Sequence, residues 1–205
     1  MSFEDFRKRA ETATLVPVWK DCLLDTDTPV SAFAKLRRGR FAFLLESAPA
    51  GGETWSRYTY LGTEPRSAWR FANGIVEDWN GKRGWHNQRK PADPLADLGA
   101  LIDAAKPATI PELGQFWGGV VGYFAYDIAR LIEDLPNRPT RGLDAPDAIF
   151  VFTRSMVILD NLRSSARAVI SVPIPKGADD TKLRKLYDEA SEELDEIVQR
   201  LQEPS

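Results

Sequence analysis

Apolar and polar positions change period repeatedly along the chain, and each change marks the edge of an element. Ser2 precedes a run with Phe3 and Phe6 on one face and reads as the cap of a first helix. Residues 15–19, Leu-Val-Pro-Val-Trp, predict a strand, and Pro17, which has no N–H to donate, confines it to a sheet edge. Thr28-Pro29 opens a second helix. Threonine accepts a backbone N–H, proline loses no helical bond in the first turn, and Val30, Phe33 and Leu36 follow on one stripe that Gly39 ends. Residues 41–45 form an apolar strand, and after Gly51-Gly52 the segment 57–61 resumes with strong β character.

Asn73-Gly74 and Asn80-Gly81 accept the positive φ of a type I′ turn, so short strands around residues 69–71, 75–79 and 82–85 form a meander. Asp93-Pro94 starts a helix with Leu95, Leu98, Leu101 and Ile102 on one stripe, stopping before Pro107. Segment 116–123 is apolar and interrupted by glycine. Residues 149–159 and 166–172 read as two long strands, joined by a turn at 161–165 and paired antiparallel. A last helix, from about residue 181 to 202, sets Leu183, Leu186, Tyr187, Ala190, Leu194, Ile197, Val198 and Leu201 against many carboxylates. With no repeat, no low-complexity run and no regular βαβ alternation, the chain reads as one continuous domain. The fold class expected is α+β, mainly antiparallel sheet with flanking helices.

Composition narrows the chemistry. The 27 Lys and Arg against 30 Asp and Glu give a net charge of −3, which removes the electrostatic footprint of a general nucleic-acid binder. Cys22 and His86 are the single cysteine and histidine, so neither a disulfide framework nor a zinc site of Cys and His fits within one chain. No run approaches the ~18 apolar residues of a membrane helix, and the start Met1-Ser2-Phe3-Glu4-Asp5 is acidic, so a cytoplasmic protein without a membrane partner is expected.

Candidate catalytic groups are scarce. His86 lies in a basic stretch, with Lys82, Arg83, Arg89 and Lys90, that reads as an exposed hairpin edge. The acidic residues around Asp188 and from Glu192 to Glu196 lack the spacing of a calcium loop and read as the wet side of a helix. Gly118-Gly119-Val120-Val121-Gly122 has neither the dinucleotide spacing nor the lysine of a P-loop. One segment differs, running from Leu44-Leu45-Glu46-Ser47 through Trp55-Ser56-Arg57-Tyr58. Its mixture suits an amino acid, with Arg57 for a carboxylate, Glu46 or nearby carbonyls for an ammonium, and Trp55 or Tyr58 for an apolar ring. The same residues equally describe an Arg57–Glu46 ion pair beside core aromatics.

Three blocks resemble the N-terminal region of anthranilate synthase component I. The first is Leu15-Val16-Pro17-Val18 with Thr28-Pro29-Val30-Ser31-Ala32-Phe33 and Lys35-Leu36. A second comprises Phe43-Leu44-Leu45-Glu46-Ser47, Gly51-Gly52, Trp55, Arg57-Tyr58, Gly62 and Pro65. The third runs from Gly118-Gly119 through Gly122-Tyr123-Phe124, Tyr126-Asp127 and Arg130 to Glu133 and Leu135-Pro136, with Ala125 where the family often has glycine. Together they cover residues 15 to about 160 in the family's order and spacing.

The resemblance implies part of an enzyme that converts chorismate to anthranilate and pyruvate, with ammonia from a glutamine amidotransferase, component II, and magnesium as cofactor. It places the chorismate and magnesium residues in a C-terminal catalytic region outside these 205 residues, so no catalytic residue, no metal ligand and no activity are expected of this chain, a piece of a longer one. By the same resemblance, residues 1–175 are a regulatory region and 176–205 an amphipathic helix that begins a linker. Leu45, Glu46, Ser47, Trp55, Ser56, Arg57 and Tyr58 would supply half of a site for L-tryptophan, the inhibiting end product. Aminodeoxychorismate synthase component I and a stand-alone binding module remain the alternatives.

Overall fold

The apolar run 149–159, expected as one strand, breaks at Thr153-Arg154, and its two halves join different sheets. A computed structural model of the chain describes residues 1–24, 27–47, 57–114, 116–136 and 143–203. In chain order its elements are α1 (Phe3–Ala10), β1 (Leu15–Leu23), α2 (Pro29–Leu36), β2 (Ala42–Glu46), β3 (Tyr58–Thr63), β4 (Ser67–Ala72), β5 (Ile75–Asn80) and β6 (Gly84–Arg89). They continue with α3 (Pro94–Asp103), β7 (Val120–Phe124), β8 (Ala148–Phe152), β9 (Ser155–Asp160), β10 (Ser165–Pro173) and α4 (Asp180–Gln202). All pairings between named strands are antiparallel, which makes the class α+β.

The chain forms two compact units. The first holds Met1–Pro65, Ala105–Gly118 and Thr153–Ser205; the second holds Arg66–Ala104 and Gly119–Phe152. Residues 180–202 pack on the first unit's sheet as α4.

In the first unit the strand order is β1-β10-β9-β3-β2, so β1, with its internal Pro17, is an edge as expected. Lys20 of β1 reaches Asp195 of α4, which marks the face that the helices cover. By the two-residue alternation of a strand, Val16 and Val18 share that face, and both are buried with Phe6, Leu36, Leu194 and Ile197. Ser2 caps α1 and Thr28 caps α2, each accepting an N–H from three residues on. The stripe on α2 is displaced from the expected one. Ala32 and Leu36 are buried whereas Val30, in the first turn, is 61% exposed. Beside β1, Pro107 forms a parallel bridge with Leu15, and Ile110, Leu113 and Trp117 farther along join the same core.

In the second unit the order is β6-β5-β4-β8-β7, over a smaller core of Trp69, Phe71, Val76, Leu98, Ala148 and Phe152. Asn73 and Gly74 both have positive φ, as a type I′ turn requires. The Asn80-Gly81 turn is different. Asn80 Oδ1 accepts the N–H groups of Lys82 and Arg83, the positive φ falls on Gly84, and β6 starts there instead of at residue 82. Of the stripe on α3, Leu98 is buried while Leu101 and Ile102 stay substantially exposed. Gly122 is glycine because a Cβ would strike the carbonyl oxygen of Ile149 on the paired strand.

Candidate functional site

Strand register assembles the candidate residues. In one row across the first unit's sheet, Asp21 pairs with Arg167, Arg167 with Ile158, Ile158 with Tyr60 and Tyr60 with Leu45. The next row in the same phase carries Leu23, Ser165, Asp160 and Tyr58. Ser47 lies one residue past the last pair of β2 with β3, Glu46 with Thr59, and so is level with Tyr58. Both rows sit on the face away from α4. Arg167, Ile158 and Tyr60 of the first row and Asp160 and Tyr58 of the second line a cavity of about 410 Å3 together with Arg57 and Gly114, whereas Leu45 and Ser47 lie outside that lining.

Leu45, Ser47, Arg57 and Tyr58 are thereby brought to one end of one sheet face, and Leu45 (44%) and Tyr58 (39%) present apolar area there. Glu46 alternates to the other face, opposite Thr59. Trp55 and Ser56 lie outside the described residues.

The partner of Arg57 is Asp160 and not Glu46. Nε and Nη2 donate to the two carboxylate oxygens at 3.0 and 2.6 Å, a bidentate arrangement that fixes the guanidinium plane. Its Cζ lies 4.9 Å from the Tyr58 ring centre. Hydrogen bonding from Arg57 holds the Asp160 carboxyl below the usual carboxylate range, against the opposing effect of burial. The same bond raises Arg57, and burial raises the phenol of Tyr60. At neutral pH the face therefore carries a neutralised Arg–Asp pair beside an un-ionised phenol.

Sequence reading missed Asp160, Asn161 and Arg167. Asp160 stands 103 residues from Arg57, and only the pairing of β9 with β3 unites them. The glycine in the second block has a local cause: a Cβ on Gly62 would collide with the ring of Phe43, its cross-strand partner. In the third block, Arg130 donates to Asp127 at 2.8 Å and to the Leu135 carbonyl at 2.6 Å, which folds the stretch after β7 onto itself. Among the described residues no group of three or more His, Cys, Asp or Glu comes together as a metal site, and no helix is long and apolar enough to cross a membrane.

No protein-family model matches the chain. Anthranilate synthase component 1 of Aquifex aeolicus is 33% identical over 204 residues, 99% of this chain and 40% of that protein. The protein of the same name from Mycolicibacterium smegmatis is 32% identical over 204 residues, again 99% of this chain and 38% of the relative. Among solved structures, anthranilate synthase component I from Streptococcus pneumoniae TIGR4 superposes with a TM-score of 0.51 at 26% identity, covering 85% of this chain and 36% of that one. The chain spans about two-fifths of the length of the relatives it matches. By sequence over nearly its whole length, and by fold over most of it, the chain is homologous to part of anthranilate synthase component I.

Proposed function

We propose that this chain is the N-terminal, regulatory part of an anthranilate synthase component I, and that the end of its first sheet supplies half of a tryptophan feedback site. The observation that carries the reading is the match to proteins of that name over 99% of the chain. In the proposed whole enzyme, chorismate and ammonia give anthranilate, pyruvate and water, and a glutamine amidotransferase delivers the ammonia. Among the described residues no group of three or more His, Cys, Asp or Glu could hold the magnesium of that reaction, which this reading assigns to the rest of component I. This chain's share is recognition. Leu45 and Tyr58 offer apolar area to an indole, Ser47 offers a hydroxyl beside them, and the rest of component I completes the pocket. Tryptophan then inhibits by binding a low-activity arrangement of the two parts more tightly than the active one.

The test is product analysis on the full-length enzyme with chorismate and ammonium. Anthranilate is expected, whereas 4-amino-4-deoxychorismate would overturn the reading in favour of the sister synthase. For the site, the ratio of turnover with and without tryptophan is measured in Ser47→Phe. Bulk at this position should raise the half-inhibiting tryptophan concentration by about tenfold or more. Unchanged sensitivity removes Ser47 from the site.

A further inference from the structure

Arg57 invites the role of carboxylate ligand for an amino-acid effector, yet its surroundings assign it elsewhere. Its Nε–Nη2 edge is taken up by Asp160, and the charge an effector's carboxylate would meet is already neutralised. Asp160 is itself fixed, since Oδ1 also accepts the N–H of Leu162 at 3.2 Å and the side chain is only 14% exposed. The next residue repeats the attachment. Asn161 donates its backbone N–H to the Arg57 carbonyl at 2.9 Å and its side-chain amide to Thr59 Oγ1 at 3.2 Å, and Thr59 is fully buried. Three separate ties thus join the last residue of β9 and the one after it to the residues on either side of Tyr58. The Arg57 guanidinium adds a fourth contact, on the Tyr58 ring itself. Tyr58 is level with Ser47, so one of these two side chains is held from more than a hundred residues away.

We infer that Asp160 and Asn161 are positioning residues for the effector half-site, and that Arg57 serves it as their clamp rather than as a ligand of the effector's carboxylate. This rests on the tryptophan site proposed above and adds to it the element that holds it in shape. A wall fixed before the ligand arrives takes none of the binding energy for its own ordering, so loosening the clamp weakens inhibition without reaching the chemistry.

The experiment uses full-length component I with ammonium as nitrogen donor and reads kcat, KM for chorismate and the half-inhibiting tryptophan concentration in Asp160→Asn, Arg57→Lys, the double variant and Ser47→Phe. Asp160→Asn should raise the half-inhibiting concentration by about tenfold, with kcat and KM unchanged, because the wall it holds must then be ordered by the ligand. Arg57→Lys should act in the same direction, and the double variant should be no worse than either single, because both remove one clamp. If Arg57→Lys relieves inhibition while Asp160→Asn leaves it unchanged or tightens it, Arg57 is a direct ligand and the inference falls. It falls equally if Ser47→Phe relieves inhibition and neither clamp variant does. Should Ser47→Phe itself have no effect, the proposed site fails and carries the inference down with it.

Discussion

Each unit contains an arginine that grips an aspartate through two parallel hydrogen bonds, and the surroundings of the two pairs differ. In the second unit Arg89 donates to Asp97 at 2.8 and 2.6 Å and to Asp78 at 2.8 Å, while Asp97 also accepts the indole N–H of fully buried Trp69 at 2.8 Å. Donors and acceptors close on one another there, between the meander and α3. In the first unit the Arg57–Asp160 pair stands at the lip of a cavity of about 410 Å3. The same chemistry therefore does two things. Closed on itself against a tryptophan it fastens a helix to a sheet; left beside open space it sets the shape of a surface that a ligand can use.

The sharpest way to break that comparison is Asp97→Ala. The substitution leaves the buried Trp69 N–H without its acceptor and Arg89 with Asp78 and the Asn87 carbonyl, a loss of about 3 kcal/mol. Native-state hydrogen exchange should show protection falling in β4, β5 and β6 while β9 and β10 keep theirs. An equal loss in β9 and β10 would mean that the two units open together and that the contrast between the pairs has no separate meaning.

How far the two pairs were legible follows from distance along the chain. Arg89 and Asp97 are eight residues apart, and the elements that carry them, a hairpin signalled by Asn-Gly and a helix signalled by Asp-Pro, are local. Arg57 was open to pairing with Glu46 of the candidate segment, but strand alternation turns Glu46 to the opposite face. Its actual partner lies on a strand that the apolar pattern did not separate from its predecessor. Residues 149–159 have no glycine, proline, asparagine or aspartate among them, and a period of two cannot say that Ala148–Phe152 pairs in one sheet and Ser155–Asp160 in another. The caps, the edge strand with Pro17 and the first Asn-Gly turn were readable because each depends on two or three adjacent residues. The Asn80 turn failed by the same token, since a side-chain acceptor gave the backbone a second way to close.

Acid sharpens the comparison with a smaller effect. Asp97 and Asp160 both have carboxyls held below the usual range, in each case chiefly by hydrogen bonds from their arginine. Unfolded aspartate titrates near about 3.9, so in both units the stability from these groups is complete above that pH and is lost as pH falls through the lower folded values. Nothing should change between neutrality and about pH 5. Below that, exchange protection should fall in both units, and Asp97→Asn should flatten the acid limb of β4, β5 and β6 alone. A flattened limb in β9 and β10 as well would show that the two carboxylates are linked.

The smallest effect on stability is expected for Asp160→Asn in the chain as it stands. Its guanidinium partner is 32% exposed at the cavity lip and is hydrated once released, unlike the indole N–H beside Asp97. The substituted amide keeps an oxygen for the Leu162 N–H, and the bonds from Asn161 to Arg57 and Thr59 are untouched. The unfolding midpoint should accordingly move less than it does for Asp97→Ala, as followed by denaturant titration with far-UV circular dichroism. A shift as large as that of Asp97→Ala would make Asp160 an ordinary strut of the sheet, and any loss of tryptophan inhibition would then follow from general loosening. A small shift joined to a large loss of inhibition separates the two pairs, because only a residue that shapes a binding face can matter more to the ligand than to the fold.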